Sequence, residues 1–216
     1  MGVLYLDDVD GNAQLATLPT VGYATHPDWS PDGSRLVYAT CGSADADWVA
    51  YDCGIATLEM LPGDAFGTHE VIVPAGANSH YYPSWNPSSE WVGFNWGPAA
   101  GDNADSNDNP RGQVGIVAAS GGAPKYLTNA STGEGLSNSW ARWGPADGDV
   151  GWLAFSSRRA YGNVVADQAQ VWLAAVDLAG AAIDPDPSFA PIWLPGQSIT
   201  SGNHTPIWVP RYTGPE

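Results

Sequence analysis

Three observations in this 216-residue sequence predict an all-β protein, a β-propeller of four-stranded antiparallel blades. The first is a Pro-x-Trp-x-Pro core at Pro27 to Pro31, Pro83 to Pro87 and Pro206 to Pro210, with a softer copy at Ala141-Arg142-Trp143-Gly144-Pro145. The second is its spacing: the anchors Trp29, Trp85, Trp143 and Trp208 stand 56, 58 and 65 residues apart, a period that marks a repeat architecture. The third is what lies between the anchors, namely short strand-like runs punctuated by Gly and Pro, with no amphipathic helix of useful length. Each anchor is expected to fill the space between neighbouring blades, where one large ring buries much apolar area.

Residues 1–20 read as the end of a blade, with two short strands at Val3 to Leu6 and Gln14 to Leu18 around the turn residues Asp10-Gly11-Asn12. The first full blade, 21–75, opens with a strand at Trp29 and turns at Pro31-Asp32-Gly33. In that turn proline presets φ, aspartate bonds the local backbone and glycine takes a positive φ. Strands at Arg35 to Ala39, Gly54 to Leu58 and Val71 to Val73 complete it. The second blade, 76–130, repeats the order with strands at Tyr82 to Trp85, Trp91 to Trp96, Val114 to Val117 and Lys125 to Leu127, but its turn Pro87-Ser88-Ser89-Glu90 lacks the glycine. The third, 131–197, runs through Trp140 to Trp143, Trp152 to Phe155, Val171 to Ala174 and Ile192 to Leu194. Residues 198–216 read as the first strand of a further blade.

The segments Pro27-Asp28-Trp29-Ser30-Pro31-Asp32-Gly33 and Leu153-Ala154-Phe155-Ser156-Ser157-Arg158 resemble the two halves of the TolB-type, or PD40 (WD40-like), propeller repeat. The resemblance extends over nearly the whole chain. It departs at the missing turn glycine of the second unit and at the absent Ser-x-Arg of the first two. It implies a fragment of a larger propeller, since relatives usually carry six or more blades; the alternative is a small four-bladed ring closed by the N-terminal strand pair. It also implies a non-catalytic binding or scaffold module in the periplasm or outside the cell. The alternative is a metal-dependent enzyme such as an oligogalacturonate-type polysaccharide lyase.

Composition narrows the partners. The formal net charge of -16 comes from 23 acidic against 7 basic residues, with Lys125 the sole lysine. Nucleic acid is excluded as a partner, because its recognition needs clustered Lys and Arg. No apolar run in the sequence reaches the ~20 residues of a transmembrane helix. A protein, small-molecule or carbohydrate ligand remains, with further blades or fused domains outside the sequence as another possible partner.

Cys41 ends the second strand of the first blade and Cys53 begins the third, so the two are expected to face each other as a disulfide, pointing to an oxidising compartment. His26, His80 and His204 each precede an anchor, and Asn78, Asn138 and Asn203 share those segments. All six are expected at the channel rim as ligand-binding residues, where the imidazoles could hold a transition metal, or else as polar caps of strand ends. Asp102, Asp105 and Asp108 offer oxygens to calcium or another divalent cation, with a flexible polar insertion as the simpler reading of the same segment. Trp48, Trp96 and Trp140 lie outside the anchor pattern and are candidates for sugar stacking. No catalytic residue is assigned and no cofactor is required: the sequence carries no nucleophile elbow, P-loop or His-Glu-x-x-His helix.

Overall fold

The computed structural model describes residues 2–8, 10, 13–46, 49–101, 105–106, 109–131, 133, 135–145, 148–162 and 168–209. Strands β1 (Tyr5–Asp7) and β2 (Gln14–Thr17) form an antiparallel pair. The first blade begins with β3 (Tyr23–Trp29) and β4 (Arg35–Cys41). A side hairpin of β5 (Ser43–Ala46) and β6 (Val49–Tyr51) follows, before β7 (Gly54–Leu61) and β8 (Ala65–Val73) complete the sheet in the order β3-β4-β7-β8. The second blade is β9 (Asn78–Trp85), β10 (Trp91–Pro98), β11 (Gln113–Ala118) and β12 (Lys125–Tyr126), followed by the single-turn helix α1 (Thr128–Ser131). The third is β13 (Ser139–Trp143), β14 (Val150–Ser157), β15 (Gln170–Asp177) and β16 (Ile192–Trp193). All strand neighbours are antiparallel, and the three four-stranded sheets are blades of a β-propeller.

Trp85 lies 5% exposed among Val37, Ile55 and Ile72 of the first blade and Val92, Phe94 and Val117 of the second. Trp143, 7% exposed, has the same place between Val114 and Ile116 of the second blade and Leu153 and Phe155 of the third. The other face of the first blade, with Leu36, Tyr38, Ala56 and Leu58, is covered by Leu4, Leu6 and Leu18 around the β1–β2 pair. That pair therefore sits where a preceding blade would pack. Residues 202–209 carry no strand, and Trp208 takes its anchor position without a ladder partner among the described residues.

The first turn is held by side chains. Ser30 Oγ donates to Asp32 Oδ1 at 2.6 Å, Arg35 N donates to Ser30 Oγ at 2.9 Å, and Gly33 takes φ 72°. In the second turn Asn86 does the same work, its Oδ1 accepting from the backbone of Glu90 at 3.0 Å and Trp91 at 2.9 Å. Ser89 occupies the missing glycine's place with φ 61°. Cys41 and Cys53 are disulfide-bonded with Cα atoms 3.9 Å apart, at the base of the β5–β6 hairpin.

Candidate functional site: the central channel

Each innermost strand carries the same irregularity. In β3, β9 and β13 the ladder slips so that two residues oppose one: His26 and Pro27 face Tyr38, Tyr82 and Pro83 face Phe94, and Trp140 and Ala141 face Phe155. These are β-bulges, and proline is tolerated at their second residue because no ladder N–H is needed there. The first bulge residue has a left-handed backbone in all three blades, with φ 52° at His26, 52° at Tyr82 and 54° at Trp140. For a bulky side chain that conformation costs on the order of 1–2 kcal/mol, so the surrounding packing must hold it.

The bulges bring those three rings together. His26 meets Tyr82 edge-on at 4.4 Å and Trp140 at 5.8 Å, while Tyr82 and Trp140 stack at 4.0 Å. One aromatic side chain from each blade thus closes one level of the channel. Burial, reinforced by the nearby Arg142 guanidinium, lowers the His26 pKa to about 4, so its imidazole is neutral at pH 7. Its Nδ1 is buried without a hydrogen-bond partner among the described residues.

Two residues further along each strand, the middle position of the repeat forms an adjoining level. Asp28 Oδ2 accepts from Trp85 N at 2.8 Å, Ser84 Oγ donates to Ala141 O at 3.0 Å, and Arg142 Nη1 donates to Pro83 O at 3.2 Å. The anchors tie the same level together: Trp85 Nε1 donates to Asp28 O at 3.2 Å and Trp208 Nε1 to Arg142 O at 3.1 Å. Among the described residues Trp143 has no such bond, its Nε1 lying instead over Gly93, where an added Cβ would come within 2.7 Å. Burial raises the Asp28 pKa, opposed by the Trp85 N–H bond and by Arg142; burial also lowers that of Arg142, opposed by Asp28 and Tyr82. The middle residue and anchor of all four repeats line one depression of 290 Å³. Two of its tryptophans stay half open, Trp29 at 45% and Trp208 at 38%.

Of the residues expected at the rim, only His26 reaches this channel. His80 is buried in the second blade, edge-on to Phe94 at 5.5 Å and 3.3 Å from the Tyr126 hydroxyl through Nε2; burial lowers its pKa to about 4. His204 is exposed beside Gly202. Asn138 is spent on structure, donating to Gly112 O and Ser131 O and accepting from Arg159 Nη2. Asn203 donates its backbone N–H to Ala169 O, and Asn78 pairs with Pro98 at the start of β9. The three histidines thus lie in three separate surroundings. Among the described residues no three His, Cys, Asp or Glu side chains are grouped closely enough to hold a metal ion.

Asp102 and Asp108 lie outside the described residues, as does Trp48. Asp105 accepts from Asn109 Nδ2 through its carbonyl. Trp96 packs against Tyr126 at 4.2 Å and bonds Val114 O, so it serves the second blade. Sequence reasoning passed over Asp28, Tyr82 and Arg142 as site residues. Their signal was available by counting back from the anchors, which places His26, Tyr82 and Trp140 in one register and Asp28, Ser84, Arg142 and Ile207 in another.

Fold and site together define a β-propeller with a polar centre between aromatic walls. No family model matches the chain, and no curated protein sequence matches it. Among solved structures it is similar to one from Agrobacterium tumefaciens described as a TolB, at 18% identity and TM-score 0.43, covering 76% of this chain and 47% of that one. It is also similar to an apocarotenoid oxygenase of Synechocystis, at 15% identity and TM-score 0.47, covering 83% and 43%, and to an ACO/RPE65 chimera at 14% and 0.47, covering 83% and 43%. The chain spans less than half the length of each of these proteins.

Proposed function

We propose that the chain is a non-catalytic propeller module of a TolB-like, extracytoplasmic protein, and that it binds a small ligand or a short protein segment in its central depression. The observation that carries this reading is the convergence of equivalent residues from all four repeats on one concave site. Its charged members, Asp28 and Arg142, are partly buried, and its walls include two half-open indole rings. A few placed polar groups within aromatic walls are the general makeup of a ligand pocket. The blades supply rigid presentation, and binding falls to the residues they position. The Cys41–Cys53 disulfide supports an oxidising compartment. The metal-dependent lyase reading finds no support in the geometry, because His26, His80 and His204 share no common centre.

The test is NMR of the indole N–H signals of the ¹⁵N-labelled chain against a library of small polar molecules and short peptides. Binders are expected to move Trp29 and Trp208 and to leave Trp96 in place. A set of binders of which none moves Trp29 or Trp208 would overturn the reading.

A further inference from the structure

We infer that the ligand of this depression is a neutral sugar ring, an inference that rests on the depression being the binding site. The walls offer the exposed parts of the Trp29 and Trp208 rings, together with Pro206 and Ile207. Flat aromatic faces of this kind suit the axial C–H face of a pyranose, which is apolar although the ring's edge is studded with hydroxyls. The polar side offers one carboxylate and one guanidinium. Asp28, when ionised, has about four lone-pair sites, and Arg142 has five N–H donors, of which only those on Nη1 are engaged among the described residues.

The other ligand classes each leave a group unanswered. A purely apolar ligand would strip water from Asp28 and Arg142 without replacing its hydrogen bonds, at about 1–3 kcal/mol for each group left unsatisfied. An anionic ligand would gain Arg142 but face Asp28, inside a chain whose net charge is already -16. A cationic ligand would gain Asp28 and the indole faces but be set against the Arg142 guanidinium. A neutral polyol answers both, since a hydroxyl donates to the carboxylate while its neighbour accepts from the guanidinium. The volume of 290 Å³ is at the small end for ligand pockets, ~300–1,000 Å³, and suits one or two rings rather than a long chain.

The experiment is isothermal titration of the whole chain with two matched pairs of trisaccharides. Chitotriose is set against its de-acetylated, cationic glucosamine counterpart, and cellotriose against anionic trigalacturonate. At least one neutral member is expected to bind tenfold or more tightly than its charged counterpart. Trp29→Ala is expected to weaken that binding at least tenfold with only a small fall in melting temperature, since Trp29 is 45% exposed and belongs to none of the buried core clusters. Tighter binding of the charged member in both pairs overturns the inference, as does binding that Trp29→Ala leaves unchanged. If no sugar binds but a short peptide moves the Trp29 and Trp208 indole signals, the sugar class is wrong and the site stands; if no binder touches those signals, both fail. A dimer by light scattering that Trp29→Ala returns to monomer also overturns it, because the open ring would then be covered by a second copy.

Discussion

Trp85 and Trp208 make the same hydrogen bond in very different company. Each indole N–H reaches the middle carbonyl of the preceding repeat, Asp28 O at 3.2 Å for Trp85 and Arg142 O at 3.1 Å for Trp208. Yet Trp85 is 5% exposed and Trp208 38%. Trp85 stands in a built blade, with Val37 and Ile55 on one side and Val92 and Phe94 on the other. Trp208 has the third blade on one side only, across an apolar hollow lined by Ala154, Leu173 and Leu194. The hydrogen bond therefore sets where an anchor sits, and the blade around it supplies the burial. Since apolar burial is the larger energy, the two tryptophans should differ in worth although they look alike in sequence.

Truncation tests this most directly. Trp85→Ala should cost about 3–5 kcal/mol, the usual range for removing a large ring from a packed core. Trp208→Ala should cost about 1 kcal/mol, because much of its ring is already in water. Urea unfolding of both variants measures the pair. Equal losses would mean that the hydrogen bond, not the surrounding blade, carries the anchor's contribution.

The disulfide sharpens the contrast from the first blade. Cys41 and Cys53 are 12 residues apart, and cross-linking such a loop stabilises by about 3 kcal/mol in the chain-entropy account. Reduction, or Cys41→Ala with Cys53→Ala, should lower the free energy of unfolding by that amount. The indole signal of Trp208 should be unmoved, since its packing lies on the third blade.

Acid should act on the two buried imidazoles, one in the channel and one within the second blade. His26 and His80 each have a folded pKa of about 4 against about 6.5 in the unfolded chain, with burial as the first cause. A depressed folded value means that the unfolded chain binds the extra proton first. The stability these histidines confer is thus complete above pH 6.5 and declines as pH falls toward 4. At about 1.4 kcal/mol per unit, each contributes up to roughly 2–3 kcal/mol of that decline. Stability measured from pH 7 to 4 should show it, and His80→Phe should flatten the curve while preserving the contact with Phe94. An unchanged slope would mean that His80 does not titrate as its burial requires.

The repeat and most of the strands were legible in the sequence because each follows from local chemistry. Trp29, Trp85 and Trp143 recur at blade spacing, Pro31-Asp32-Gly33 forms a turn on its own terms, and Cys41 faces Cys53 across one hairpin. The site was legible only in part. A bulge is a relation between two strands, so nothing local to His26-Pro27 shows that it will oppose Tyr38 alone. Without the bulges, His80 looked as well placed as His26. The register difference sends one imidazole into the channel and the other into the interior of its own blade. The converging pair of Asp28 and Arg142 depends on how blades stack, which brings together residues more than a hundred positions apart.

The turn after each anchor is the finest test of how far one repeat can stand in for another. Gly33 and Ser89 hold the same left-handed place, at φ 72° and 61°, but only glycine does so without a Cβ penalty. The second turn compensates with Asn86, which accepts from two backbone N–H groups and so fixes the loop from inside. Ser89→Gly should therefore stabilise the chain, by about 1 kcal/mol at most, since glycine's greater freedom when unfolded offsets part of the relief. Gly33→Ala should destabilise by a similar amount in the first turn, although an added Cβ there meets nothing within 4 Å, which isolates the backbone as the cause. Chemical unfolding of the two variants side by side measures both signs. A destabilising Ser89→Gly would mean that the Ser89 hydroxyl, which accepts from Asp32 N at 3.3 Å, matters more to the joint between the two blades than the backbone strain it carries.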